Sequence, residues 1–188
     1  NRALIFPESE LTFSELHANA KRKARSLIGA GVQAGDHIGI LSLNLPEYVE
    51  SIFAINMAGA TAVPLNARYR GAELKQVIAD SDIRLLFTTS QFDGRVDFSA
   101  HLTDCYPELT TSLDPSQLRI REAPLLKSVV MFEATQKLGF ISSTDFEQWG
   151  TGVTDETLIQ HSASAGLESI CLMMYTSGTT SVPKLSLI

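Results

Sequence analysis

The sequence predicts an α/β fold: a mostly parallel sheet flanked by helices on both faces. Three observations carry this. Strand-like runs alternate with helical periodicity along residues 4–88. The strand-like runs are short and apolar, as in strands covered on both sides. The composition is globular, with 44% hydrophobic and 19% charged residues among 188. A chain of this length suits one large α/β domain with a sizeable core.

The elements follow in order. Leu4 to Phe6 and Glu10 to Phe13 read as two short strands around Pro7-Glu8-Ser9. Thr12-Phe13-Ser14-Glu15 fits a capping box, so a helix starts there. Phe13, Leu16, Ala20, Ala24, Leu27 and Ile28 recur at helical spacing, and Gly29 and Gly31 end the run. His37 to Ser42 reads as a buried strand. Asn44 is expected to cap a second helix, with Pro46 in its first turn and apolar residues on most faces up to Gly59, which predicts a buried helix. Thr61 to Leu65 is a strand, Glu73 to Ala79 a helix, and Ile83 to Thr88 a strand.

Residues 90–127 are less periodic, with Pro107, Pro115 and Pro124 interrupting them; either a crossover or a helix plus a long loop fits. Ser128 to Phe132 reads as a strand. Thr144 to Trp149 reads as a short helix capped by Thr144. Thr151 to Gly166 is polar and rich in small residues, which predicts a surface connection. Ile170 to Tyr175 is an apolar strand that runs into a hydroxyl-rich stretch.

Several function classes are disfavoured. A net charge of −6 argues against a general nucleic-acid binder. Two cysteines, Cys105 and Cys171, cannot build a disulfide scaffold; buried thiols in a reducing, cytoplasmic setting are expected. No apolar run approaches the ~18 residues of a transmembrane segment. The first ten residues lack the pattern of a signal peptide. The ends read as cuts: Asn1 to Phe6 begins as a strand in progress, and Pro183 to Ile188 stops in an apolar run. A piece of a longer protein is expected.

Three weak signals have plain structural readings. Gly29-Ala30-Gly31-Val32-Gln33-Ala34 matches a dinucleotide pattern, but a helix precedes it and a strand follows, so it reads as a helix end and turn. Lys21, Arg22, Lys23 and Arg25 point in different directions around a helix and read as a solvated face. His17, His37, His101 and His161 have no metal-ligand spacing.

Tyr175-Thr176-Ser177-Gly178-Thr179-Thr180-Ser181-Val182-Pro183-Lys184 differs in kind. Thr176, Ser177, Thr179 and Thr180 supply hydroxyl donors directly after an apolar strand. Gly178 lets backbone approach a ligand closely. Successive amides in such a turn can form an anion-binding nest, and Lys184 adds a positive charge. The set suits a polyphosphate. It is not a Walker A loop, because Lys184 follows proline and precedes leucine. A polar turn between two strands is the competing reading.

The stretch resembles the phosphate-loop signature of the adenylate-forming superfamily, Y-T-S-G-T-T-G-x-P-K-G. This superfamily comprises acyl- and aryl-CoA synthetases, adenylation domains of peptide synthetases and firefly-type luciferases. The resemblance extends upstream. Leu11-Thr12-Phe13-Ser14-Glu15-Leu16, Gly31 to Ile38, Asn44-Leu45-Pro46-Glu47-Tyr48 and Ala58 to Asn66 look like family segments in family order. Residues 90–165 match poorly.

The resemblance implies a reaction. A carboxylate attacks the α-phosphorus of ATP, pyrophosphate leaves, and coenzyme A or a carrier thiol displaces AMP from the acyl-adenylate. Thr176, Ser177, Gly178, Thr179, Thr180 and Lys184 would hold the ATP phosphates, with Mg²⁺ sharing the charge. Val63-Pro64-Leu65-Asn66-Ala67-Arg68-Tyr69-Arg70 looks like the fatty and aromatic acyl-CoA synthetase branch more than the peptide-synthetase branch. On this reading, residues 1–188 are the N-terminal α/β part of the AMP-binding domain, without its adenine-binding and C-terminal lid regions. The piece alone would not turn over. The expected partners are a carboxylic acid, ATP and CoA, and open sheet edges would allow a homo-oligomer.

Two departures stand out. Ser181 and Leu185 occupy positions where the family usually has glycine. If position 181 needs a left-handed backbone, serine there adds strain of about 1 kcal/mol. A non-catalytic α/β scaffold is therefore the alternative of another class.

Overall fold

The computed structural model describes residues 1–92, 96–176 and 184–188. The chain opens with an antiparallel hairpin, β1 (Arg2–Phe6) and β2 (Ser9–Thr12). Helix α1 (Phe13–Gly29) follows, and the predicted capping box is present. The Thr12 hydroxyl accepts from the Glu15 amide at 3.3 Å, and the Glu15 carboxylate accepts from the Thr12 amide at 2.8 Å. The helix ends in a turn in which Gly31 takes φ +81°, a conformation that suits glycine. The Gly29–Ala34 stretch is thus a helix end, as its context implies.

Next come β3 (His37–Leu41), α2 (Pro46–Met57), β4 (Thr61–Pro64), α3 (Gly71–Asp80) and β5 (Ile83–Thr88). Two-residue strands β6 (Gln91–Phe92) and β7 (Val96–Asp97) pair antiparallel. The less periodic middle holds α4 (Phe98–Cys105) and the short α5 (Glu108–Thr111). Strand β8 (Ser128–Met131) precedes α6 (Ser143–Trp149) and α7 (Asp155–Ser164). The described chain closes with β9 (Met173–Thr176) and β10 (Lys184–Leu187).

Strands β4, β3, β5 and β8 form a parallel sheet in that spatial order. Each face carries its own core. On one face Ala20, Leu27, Ile55, Phe146 and Leu158, from four helices, pack on Ile38, Ile40, Leu85 and Phe87. On the other, Leu74, Val77, Phe98, Leu102 and Leu109 pack on Leu41, Val63, Leu86 and Val129. Burial on both sides explains why these strands read as unbroken apolar runs. The fold class expected from sequence is the one observed.

Four local expectations need correction. The cap of α2 is Leu45, without a side-chain hydrogen bond, and not Asn44; Pro46 at the start supplies the fixed backbone instead. The cap of α6 is Ser142, which accepts from the Asp145 amide at 3.2 Å, and not Thr144. The segment 151–166 is not a plain connection: Thr154 caps α7, and Leu158 alone is buried from that helix. A helix with one buried apolar residue leaves almost no periodic signal. Helix α2 is not buried all round, since Phe53 stays 48% exposed.

The basic cluster of α1 is also corrected. Lys21 pairs with Asp155 of α7 at 2.6 Å, and Arg25 meets the same carboxylate. Lys23 turns inward: its ammonium lies 3.2 Å from Glu50 Oε2 and 5.2 Å from the Phe132 ring centroid. Burial pulls the Lys23 pKa below its ordinary value, against the opposing pull of Glu50. The cluster stitches α1 to α2 and α7 rather than forming a solvated face. Of the two free cysteines, Cys105 is buried as expected, and Cys171 is exposed. No described helix is long and apolar enough to cross a membrane.

Candidate functional site

Strands β9 and β10 pair antiparallel in the register Thr176↔Lys184, Tyr175↔Leu185, Met174↔Ser186 and Met173↔Leu187. Two of the six predicted phosphate-binding residues, Thr176 and Lys184, thus face each other across the ladder. Ser177, Gly178, Thr179 and Thr180, with the departure Ser181, lie outside the described residues.

The hairpin is fastened to the body at its base. Ala62 of β4 forms a parallel bridge with Leu172, and the Ala62 amide donates to the Cys171 carbonyl at 3.1 Å. The Thr61 hydroxyl donates to the Ile170 carbonyl at 2.8 Å. Ile188 closes the base: its carbonyl accepts from the Cys171 and Leu172 amides, and its amide donates to the Leu172 carbonyl. Beyond that bridge β4 ends at Pro64, which has no N–H to offer a neighbouring strand.

Side chains take over there. Met173 is 5% exposed and belongs to the core under α3. Tyr175 packs against the same core, and its phenol is hydrogen-bonded to the Ser81 hydroxyl at 2.9 Å. Burial raises the Tyr175 pKa; the Ser81 bond opposes this, and the carboxylates of Asp80 and Asp82 add to it. The tyrosine therefore stays protonated and able to donate. Ser81 is itself buried, and its carbonyl lies 2.6 Å from His37 Nδ1.

Two polar groups that sequence reasoning missed sit elsewhere. At the carboxyl end of β5, Glu133 Oε1 accepts from the Ser90 amide at 2.9 Å and meets the hydroxyls of Thr89 and Ser90. A lone glutamate after a strand gives no pattern from which to find it. Between α1, α2 and β8 a cleft of about 250 Å³ is lined by Arg22, Lys23, Glu50 and Phe132. Lys23 pairs with Glu50 there and Arg22 with Glu147, which suits a structural seam. Among the described residues no group of three or more His, Cys, Asp or Glu could hold a metal ion.

The comparisons agree with one another. The family described as AMP-binding enzyme matches residues 1–188. The acyl-CoA ligase sidI of Aspergillus fumigatus is 29% identical over 98% of this chain, which covers 30% of that protein. The feruloyl-CoA synthase of an Amycolatopsis species is 31% identical over 93% of the chain and is covered to 27%. Among solved structures, the anthranilate CoA ligase AuaEII in complex with anthranoyl-AMP aligns over the whole chain. Its TM-score is 0.77 at 27% identity, and the chain covers 31% of it. The chain therefore spans about a third of the length of the relatives it matches.

Proposed function

The chain belongs to the AMP-binding enzyme family, and from that premise we propose that it is part of an ATP-dependent acid–CoA ligase. The observation that supports the reading is the sequence of the stretch Thr176 to Lys184, in a chain whose relatives are named CoA ligases along nearly its whole length.

In the proposed reaction a carboxylate oxygen forms a bond to the α-phosphorus of ATP. The bond to the pyrophosphate oxygen breaks, and pyrophosphate leaves with its electron pair. The thiolate of coenzyme A then attacks the acyl carbon and AMP departs. The chain's own residues have an electrostatic task. The hydroxyls of Thr176, Ser177, Thr179 and Thr180, the backbone at Gly178 and the ammonium of Lys184 hold the β- and γ-phosphates as charge builds on the leaving group. Mg²⁺ would arrive on the ATP phosphates, in keeping with its habit of binding through substrate phosphates plus one or two carboxylates. It would supply further charge neutralisation there.

The relatives named for feruloyl and anthranilate chemistry favour an aromatic acid as the partner substrate, with a fatty acid as the alternative. The resemblance of Leu65-Asn66-Ala67-Arg68-Tyr69-Arg70 to that branch favours coenzyme A over a carrier-bound thiol. A cytoplasmic setting fits these soluble substrates.

Acid-dependent exchange of labelled pyrophosphate into ATP tests the proposal on the complete protein, with a panel of fatty and aromatic acids. Exchange that requires one class of acid supports it. No exchange with any acid would favour the scaffold reading.

A further inference from the structure

The hairpin's anchoring is uneven, and the unevenness singles out one side chain. Its base is tied by backbone hydrogen bonds through Ala62, Leu172 and Ile188. Its far end carries Thr176 and Lys184, and among the described residues its strand bridge to the body is at Leu172. Between these ends, Tyr175 makes a side-chain hydrogen bond to a residue 94 positions away.

The acceptor is well built. Ser81 is 1% exposed and closes the C-terminal turn of α3. Its hydroxyl also meets the Val77 carbonyl. A serine has one proton, so both contacts are satisfied when Tyr175 donates to Ser81 Oγ and Ser81 donates to Val77. The Ser81 carbonyl in turn meets His37 at the start of β3. The phenol is thereby referred to α3 and, through one more contact, to the central sheet.

We propose that Tyr175, held by Ser81, is a positioning residue for nucleotide binding: it fixes the strand that carries Thr176, the first of the residues proposed to hold the ATP phosphates. The inference rests on the proposed function and adds a residue to it. Tyr175 touches no phosphate in this account; it limits the range over which the next residue can move. Preorganised donors stabilise a developing charge because they need not be gathered at the moment of reaction. Loosening the strand spends part of the binding energy on ordering it again.

The test compares the complete protein with Y175F, S81A and the double variant, measuring initial rates at varied ATP, acid and CoA. Each single variant is expected to raise KM for ATP by roughly fivefold, the scale of one net hydrogen bond. KM for acid and for CoA should stay unchanged. The double variant should be no worse than either single one, because both remove the same bond. Loss of folded protein alone would lower the apparent kcat without moving KM for ATP. Should Y175F fail to fold, S81A with its intact phenol still reads the KM. Unchanged KM for ATP in both single variants, beside an active unsubstituted protein, overturns the positioning role alone. No adenylate formation by the unsubstituted protein overturns this role and the proposed function together.

Discussion

The parallel sheet and the β9–β10 hairpin are built on opposite terms. In the sheet, β3 and β5 are each paired on both edges, and both faces are covered by helices. The hairpin joins the body through one bridge and a few side chains, and it leaves Met174, Leu187 and Ile188 41–62% exposed. The difference separates two duties. The sheet carries most of the buried core, and the hairpin adds to it only through Met173 and Tyr175 among the described residues. Substitutions should therefore sort by region: large stability losses in the sheet layers, and losses of nucleotide handling in the hairpin.

The largest stability effect is expected at Phe87. Its ring stacks on Phe132 at 5.9 Å and meets Phe146 edge-on at 5.3 Å, and it is 1% exposed. Phe87→Ala should cost about 3–5 kcal/mol in denaturant unfolding. A loss as small as that of an exposed site would mean that the two-faced core is not the source of stability.

A smaller loss is expected where α1 crosses α6. A Cβ on Gly29 would lie 1.7 Å from the Trp149 carbonyl oxygen, so the two backbones approach through the missing side chain. Gly29→Ala should cost about 1–3 kcal/mol by overpacking, despite alanine's better helix propensity. A stabilised variant would show that the crossing can relax.

The smallest effect is electrostatic and depends on pH. The Asp155 carboxyl is held below its ordinary 3.8 by Lys21, then Arg25, and Glu15 below its ordinary 4.5 by the Thr12 amide and hydroxyl. Their folded values lie below their unfolded ones. The stability they add is therefore present above those ordinary values and is lost as pH falls through the folded values. Melting temperature should hold level down to about pH 5 and fall below it. Because Asp155 is exposed, salt should flatten the part of that fall that Asp155→Asn removes. A melting temperature that rises on acidification would contradict the assignment.

The same division explains what the sequence made legible. The β3, β4, β5 and β8 runs were readable because burial on both faces makes their apolar character continuous. The start of α1 was readable because a capping box is a local code written in Thr12 and Glu15. Asn44 misled because a capping residue type in a plausible place does not compel its own use; the helix starts at Pro46 regardless. The inward turn of Lys23 was hidden, since a partner on another helix, Glu50, leaves no trace near Lys23 in sequence. The proposed site rests on a string of chemistry in the sequence, from Thr176 to Lys184. The contact of Ser81 with Tyr175 leaves no sequence signal, since the two meet only because α3 ends where β9 passes.

The proposed function stands on the hydroxyl-rich stretch Thr176 to Lys184 gripping the triphosphate of ATP. Acid-dependent pyrophosphate exchange by the complete protein, with Thr180→Ala and Lys184→Ala beside it, tests this most directly. The account predicts that each variant remains folded, with an unchanged melting temperature, and loses exchange by roughly 100-fold or more. Folded variants that exchange pyrophosphate at the original rate would contradict it.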